Sequence, residues 1–332
     1  MQKAAIVILN YNGVEMLRQF LPDVCGLSRY PVFVIDNGST DSSITYLREH
    51  HPSVRILLLA ENHGYAGGYN RGLEQIRGEF EFYILLNSDV QVREGWDLPL
   101  IRLMDISPHL ASVQPKILSF QNPSLFDYAG AAGGFIDQLG YPYCRGRIFD
   151  NIEMDRGQYE DSVPVDWTSG ACMAVRDGLF HQHGGFDERF FAHMEEVDIC
   201  WRWRADGYEC RYLAESVVFH VGGATLSRSN PRKTYLNFRN NLWMLKKNLS
   251  KGRFLYIYVC RVALDFLAVL VFAMRGKMDE AKAVVDAHIS FLGSRASVPH
   301  PVPKVAQQIS VAGRVSILFD YYLMGKKIYS DL

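Results

Sequence analysis

Ala4-Ala5-Ile6-Val7-Ile8-Leu9 runs directly into Asn10-Tyr11-Asn12-Gly13. The apolar run is short, continuous and rich in β-branched residues, the pattern of a strand buried on both faces of a sheet. The same arrangement recurs down the first ninety residues. Val32–Ile35 runs into Asp36-Asn37-Gly38-Ser39-Thr40-Asp41, Val54–Leu59 into Glu61-Asn62-His63-Gly64, and Phe82–Leu86 into Asn87-Ser88-Asp89. Helix-like stretches near Val14–Cys25, Ser42–His50 and Tyr65–Ile76 separate the runs. Strand and helix in alternation predict an α/β fold: an open, mostly parallel sheet flanked by helices, with right-handed crossovers. Ligands bind such sheets beyond the carboxyl ends of the strands. Each polar segment alone reads as turn or cap chemistry. Together on one edge they mark a ligand site.

The rest of the composition narrows the function. The chain has 332 residues, 48% of them hydrophobic, and a formal net charge of −1. That suffices for a sizeable core, and no global field draws the protein to nucleic acid. The six cysteines are scattered without the two-residue spacing of zinc or redox sites, so they read as reduced thiols of a cytoplasmic protein. The first residues lack a signal-peptide layout. Between about 90 and 165 periodicity weakens, which predicts irregular structure and short strands. Near Val163 the pattern sharpens into a strand and turn, then a loop, a helix and a strand. Gly207 suits the position just past that helix.

Several positions could carry chemistry. Asp36 can accept hydrogen bonds from a base NH or a ribose hydroxyl, while Asp41 is better placed to cap the following helix. Asp89, behind Asn87 and Ser88, can hold a divalent cation that bridges two phosphates. Glu61–Gly72, with four glycines, opens the third helix and lets backbone approach a ligand. It is not a dinucleotide fingerprint, and the turn after the first strand has only Gly13, which argues against a nicotinamide dehydrogenase. A nucleotidyltransferase would want a Gly-rich loop with Lys or Arg in that turn, and Asn10–Gly13 lacks it. Glu195, Glu196 and Asp198 cluster at a helix start among aromatic residues, where burial makes a carboxylate a better base. Asp198 has a helix partner in Arg202. His220 closes an apolar run, and imidazole is an ordinary ligand for a manganese-like cation.

Taken in order, ILNYNG, VIDNGSTDSS, ENHGYAGGYNRG, LLNSDVQV, WTSGACMAVR, GGFDERFFAHMEEVDICWRWRADGY and VVFHVGG resemble the family 2 glycosyltransferases with the GT-A fold, in particular rhamnosyltransferase-like and galactofuranosyltransferase-like members. The resemblance covers about residues 4 to 225. It implies a nucleotide-diphosphate donor carrying rhamnose or another hexose, inversion at the anomeric carbon, and a glycan or lipid-linked glycan acceptor. Asp36 matches the base- or ribose-binding acid, with Asn10, Tyr11, Gly67, Asn70, Asn87, Ser88 and Trp167 as further donor-binding candidates. Asp89 and His220 match the metal ligands, for Mn2+ or Mg2+. Glu196 falls at the catalytic base, with Glu195 beside it. Two departures stand out. Asn87 replaces the first acid of the Asp-x-Asp element, and Glu196 replaces the more usual Asp. A catalytically silent glycan-binding or scaffold relative is the competing reading.

These positions divide the chain into a catalytic domain, 1–225, and a mainly helical region, 226–332. In the latter, Phe254–Met274 is about long enough to span a bilayer. Arg261 and Asp265 interrupt it on one helical face, and Lys251, Arg253, Arg275 and Lys277 flank it. The stretch reads as a core or homodimer helix, or as an in-plane helix that brings the enzyme to the inner face of the cell membrane.

Overall fold

The computed structural model describes residues 1–222, 230–293 and 310–332. The boundary expected at 225 lies outside the described residues. The N-terminal half alternates as the sequence predicts: β1 (Gln2–Asn10), α1 (Val14–Leu27), β2 (Val32–Asn37), α2 (Ser43–His50), β3 (Arg55–Leu59), α3 (Gly64–Glu74), β4 (Phe80–Asn87) and the short β5 (Val90–Gln91). The order then continues with α4 (Asp97–Ile106), β6 (Leu110–Ser119), β7 (Gly134–Ile136), β8 (Pro142–Cys144), β9 (Arg147–Ile148), β10 (Asn151–Ile152), β11 (Ser162–Val165) and β12 (Cys172–Arg176). It ends with α5 (Asp177–Gln182), α6 (Glu195–Ala205), β13 (Glu209–His220), α7 (Pro231–Asn248), α8 (Lys251–Met274), α9 (Met278–Gly293) and α10 (Ile317–Tyr322).

Among the described residues, nine strands form one sheet in the order β11-β13-β6-β12-β4-β1-β2-β3, with β5 on β13. β4, β1, β2 and β3 are parallel. β12 runs antiparallel to both β4 and β6. A second, four-stranded sheet holds β7 to β10. Alternate residues of β1 feed cores on opposite faces. Ala5 and Val7 pack with Phe33, Tyr69 and Tyr83 on one side, and Ala4, Ile6 and Ile8 pack with Leu17, Leu21 and Val34 on the other.

The stretch expected to hold irregular structure and short strands has the short strands β7 to β11, but its first part departs from that expectation. It contains α4 and the ten-residue β6, which sits between β13 and β12 in the middle of the sheet. Buried polar residues hide this strand in the sequence: Ser112, Gln114 and Lys116 are all buried. Each is satisfied locally. Ser112 pairs with Thr168, Gln114 accepts from Ser169 N at 2.9 Å, and Lys116 bonds Asp155 at 2.9 Å and also Glu160. Pro115 cannot donate to a ladder. It is tolerated because the β12 ladder stops at Val113 and the β13 register shifts just after Leu213, the partner of Pro115.

Candidate active site at the carboxyl edge

Sheet register brings the polar strand ends together. Asn10 lies beside Asp36, and Leu9 beside Asn87. Asp36 is 1% exposed, and both of its oxygens accept hydrogen bonds: Oδ1 from Asn10 Nδ2 at 3.2 Å, Oδ2 from Ser39 N at 3.0 Å. Asn10 Oδ1 is buried without a partner. Tyr11 follows with its ring half exposed. Asp41, as expected, accepts from Ser43 N at the start of α2, and it also receives Val14 N. Gly38 has φ +76°, and a Cβ there would sit 2.7 Å from Glu61 backbone, so this turn requires glycine.

Across the same edge, β13 delivers His220 opposite β5, beside Asp89. His220 Nε2 stands 3.3 Å from Asp89 Oδ1 and 3.5 Å from Asn87 Nδ2. His220 Nδ1 stands 2.9 Å from Asp127 Oδ1, a carboxylate that is 2% exposed. Burial alone would lower the imidazole pKa, but hydrogen bonds to Asp127 and Asp89 outweigh it and push the ring up to about 10. Asp127 was not legible as a site residue. It lies 93 positions from His220 in a stretch without periodicity, and only the fold joins them.

The third group is the start of α6. Glu195 is buried, Glu196 half-buried, and the Oε2 atom of each lacks a partner. Burial raises both carboxyls. Glu196 rises to about 7, and Glu195, which also feels the charge of Glu196, rises well above the usual range. His193 Nε2 is a further unpartnered buried atom, and burial, then the charge of Lys233, lowers that ring to about 4. The backbone ahead of the acids is held in a costly shape: Phe191, His193 and Met194 have φ of 64°, 69° and 74°.

Two elements impose that shape. The first N–H groups of α3 reach the Phe191 carbonyl, with Tyr65 N at 2.7 Å and Ala66 N at 3.3 Å. The single amide nitrogen of buried Asn240 on α7 lies 3.0, 2.9 and 2.8 Å from the carbonyls of Phe190, Ala192 and His193. Below the acids, Asp198 is fixed by Arg202 at 2.9 Å, as its spacing predicts, and also by Lys247 at 2.7 Å and Asn248 at 2.8 Å. Asn240, Lys247 and Asn248 carried no sequence signal beyond membership of a polar helix.

The remaining candidates sit in supporting positions. The glycines of α3 approach protein: a Cβ at Gly64 would strike Phe191, at Gly68 Leu9, and at Gly72 Ile35. Gly67 packs against His63 and Arg71. The Asn70 amide clamps Phe186, donating to its carbonyl at 2.8 Å and accepting its N–H at 2.9 Å. Trp167 is buried and donates to Phe135 O at 3.1 Å. Ser88 stays partly open at the edge.

Comparison with known proteins agrees with this architecture. The sequence profile of Glycosyl transferase family 2 matches residues 5–177. The chain is 30% identical over 234 residues to N-acetylglucosaminyl-diphospho-decaprenol L-rhamnosyltransferase of Mycobacterium tuberculosis (strain H37Rv), covering 65% of this chain and 75% of the relative. It is 24% identical over 253 residues to the low-salt glycan biosynthesis hexosyltransferase Agl10 of Haloferax volcanii, covering 75% and 77%. In fold it is similar to mannosyltransferase PcManGT from Pyrobaculum calidifontis, solved with GDP-Man and Mn2+, at a TM-score of 0.53 and 14% identity over 89% of this chain and 88% of that one. It is also similar to GalNAc-T7, solved with UDP, GalNAc and Mn2+, at 0.58 and 14% over 76% of this chain, which spans about half (49%) of that structure. The chain belongs to glycosyl transferase family 2: it is a glycosyltransferase of the nucleotide-sugar-using type, built on the GT-A fold.

Proposed function

We propose that this enzyme moves a hexose, rhamnose or one like it, from a nucleoside-diphosphate donor to a hydroxyl of a glycan or lipid-linked glycan, with inversion. The observation that carries the reading is the acid pair at the start of α6: Glu195 buried and Glu196 half-buried, each with a buried unpartnered oxygen, and with Glu196 raised to about 7. A carboxylate so tuned takes up a proton near neutral pH far more readily than an exposed one. Glu196 accepts the proton of the attacking hydroxyl as the oxygen–carbon bond forms and the bond from the anomeric carbon to the diphosphate breaks. Glu195, which shares the burial, holds a proton and orients the acceptor. Asp36 and Asn10 bind base or ribose, Tyr11 covers the nucleoside, and Asn87 and Ser88 border the phosphates. Gly67, Asn70 and Trp167 shape the walls behind them.

Asp89 and His220 fit a divalent cation, which would take the place of the imidazolium proton on Nε2. Two ligands at right angles on an ion with bonds near 2.1 Å lie roughly 3 Å apart, close to the 3.3 Å between Asp89 Oδ1 and His220 Nε2. Asp127 on the far ring nitrogen is the usual support for a ligating imidazole. Two protein ligands leave room for donor phosphates, as Mg2+ and Mn2+ sites of this kind require. A bound cation would offset the charge of the departing diphosphate. The name of the mycobacterial relative supports a lipid-linked acceptor, and the reaction is assigned to the cytoplasmic side of the cell membrane. Incubating the chain with a panel of nucleotide sugars, with Mn2+ or with a chelator, tests the reading. Metal-dependent turnover giving a product of inverted anomeric configuration is expected. A retained configuration would sink the Glu196 mechanism, and no turnover on any donor would favour the silent glycan-binding relative.

A further inference from the structure

Helix α8 has two opposed faces. Ile257, Arg261 and Asp265 are buried, the last two at 2% exposure. Arg261 reaches the Asn241 side chain, and Asp265 accepts from Tyr141 at 2.9 Å and stands 3.0 Å from His288 Nε2 on α9. The charges that made this stretch a poor spanning segment therefore point into the protein and bolt α8 to α7, α9 and the 137–141 turn. Such a helix cannot be surrounded by lipid.

The other face is apolar and open. Leu255, Val259, Val262, Phe266, Leu270 and Met274 are 42–80% exposed. At about 100° per residue they fall in one stripe opposite the buried side. No element among the described residues covers it. α10 extends it: Phe319, Tyr322 and Leu323 are exposed, and Tyr322 lies close enough to Arg275 at the end of α8 to feel its charge. An uncovered apolar area of this extent marks an interaction surface.

The charges around the stripe choose its occupant. In a chain of net charge −1, exposed Lys251 stands at one end of α8 and exposed Arg275 and Lys277 at the other, while Arg253 turns inward to Gln138 at 2.7 Å. Lys326 and Lys327 follow α10. Of the acids nearby, Asp279 and Glu280 sit in the first turn of α9, where they complement its dipole, and Asp320 on α10 is offset by Arg314 at 2.6 Å and Lys326 at 3.5 Å. A cationic rim on an apolar stripe complements anionic headgroups above acyl chains. A second copy of the same face would instead have to bring like charges together.

We propose that α8 lies in the plane of a membrane, its outward stripe in the acyl boundary and its basic rim on anionic headgroups, so that the enzyme works at a lipid surface. This does not depend on the assignment of the base or the cation. Asn240 and Asn241 are adjacent on α7; the first holds the loop before Glu195, and the second bonds Arg261 of α8. Helix α7 thus touches both the loop ahead of the acid pair and the helix proposed to meet the lipid.

Flotation of the full chain with phosphatidylcholine vesicles, with or without phosphatidylglycerol, tests the proposal, with light scattering in parallel. A monomer that floats only with phosphatidylglycerol is expected. Val259→Asp combined with Phe266→Asp should abolish flotation, and Arg275→Glu with Lys277→Glu should weaken it about tenfold or more. All four positions are exposed, so both variants should retain the thermal transition of the parent. Absence of flotation, equal binding to neutral vesicles, or an unaffected Val259→Asp/Phe266→Asp chain would each overturn it. So would a dimer that this variant converts to monomer, because the face would then belong to a second copy.

Discussion

At the scale of single residues, Glu196 combines two predictions of opposite sign. As the proposed general base it would act in the ionised form, so kcat/KM should fall as pH drops below about 7. Glu196→Gln should lose about 10²–10⁴-fold in rate while donor affinity stays near normal. A Gln variant with normal turnover would move the role to Glu195. Stability runs the other way. Its folded pKa, about 7, lies above the ordinary 4.5, so folding favours the protonated form. That contribution is complete below about 4.5 and lost as pH rises through 7. At pH 8 the wild type therefore carries a buried charge that Gln does not, and Glu196→Gln should gain on the order of 1–3 kcal/mol. Melting curves at pH 8 and pH 4 check this: the gain should appear only at pH 8. At the proposed cation site, Asp127→Asn should weaken Mn2+-dependent nucleotide binding by about 10–100-fold, through the His220 tautomer and orientation. Calorimetry with and without a chelator measures it, and unchanged Mn2+ dependence would remove Asp127 from the site.

At the scale of elements, α7 governs α6. Lys247 is 2% exposed along its side chain and bonds both Asp198 and Asp187. Removing one partner from a buried ionic cluster is costly. Lys247→Met should lower stability by about 3 kcal/mol, measurable by urea unfolding, whereas an exposed control such as Lys282→Met should change little. Asn240→Ala frees the carbonyls of Phe190, Ala192 and His193 and relaxes the positive-φ segment. Its expected signature is a fall in kcat and a shift of the acid limb of the pH profile, with donor KM nearly unchanged, because in the proposed mechanism the loop aims the base rather than binding the nucleotide. A change in KM alone would count against that role.

At the scale of the whole molecule, the C-terminal region completes the catalytic half. Ser310 Oγ and Val311 N satisfy the buried Asp166 at 2.5 and 2.8 Å, and Ile317 N satisfies the buried Asp137 at 2.9 Å. Cut after residue 222, the chain would keep Asp137, Asp166, Asp187 and Asp198 but lose those partners and Lys247. It should not melt as one cooperative transition, and calorimetry that found the parent transition intact would refute this. By itself the sequence determined what depends on local order along the chain. The apolar runs of β1 to β4 and the polar residues that end them are set by period and turn chemistry, and so is the Asp198–Arg202 pair, since four residues make one helical turn. Only the tertiary structure decided the rest. β6 is a central strand because distant partners satisfy Gln114 and Lys116, and Asp127 meets His220 across 93 residues. Asn240 sets the loop from another helix, and Arg261 with Asp265 turns inward so that α8 shows its apolar side. A buried polar group must find a partner wherever the fold places one, and that choice leaves no period in the sequence.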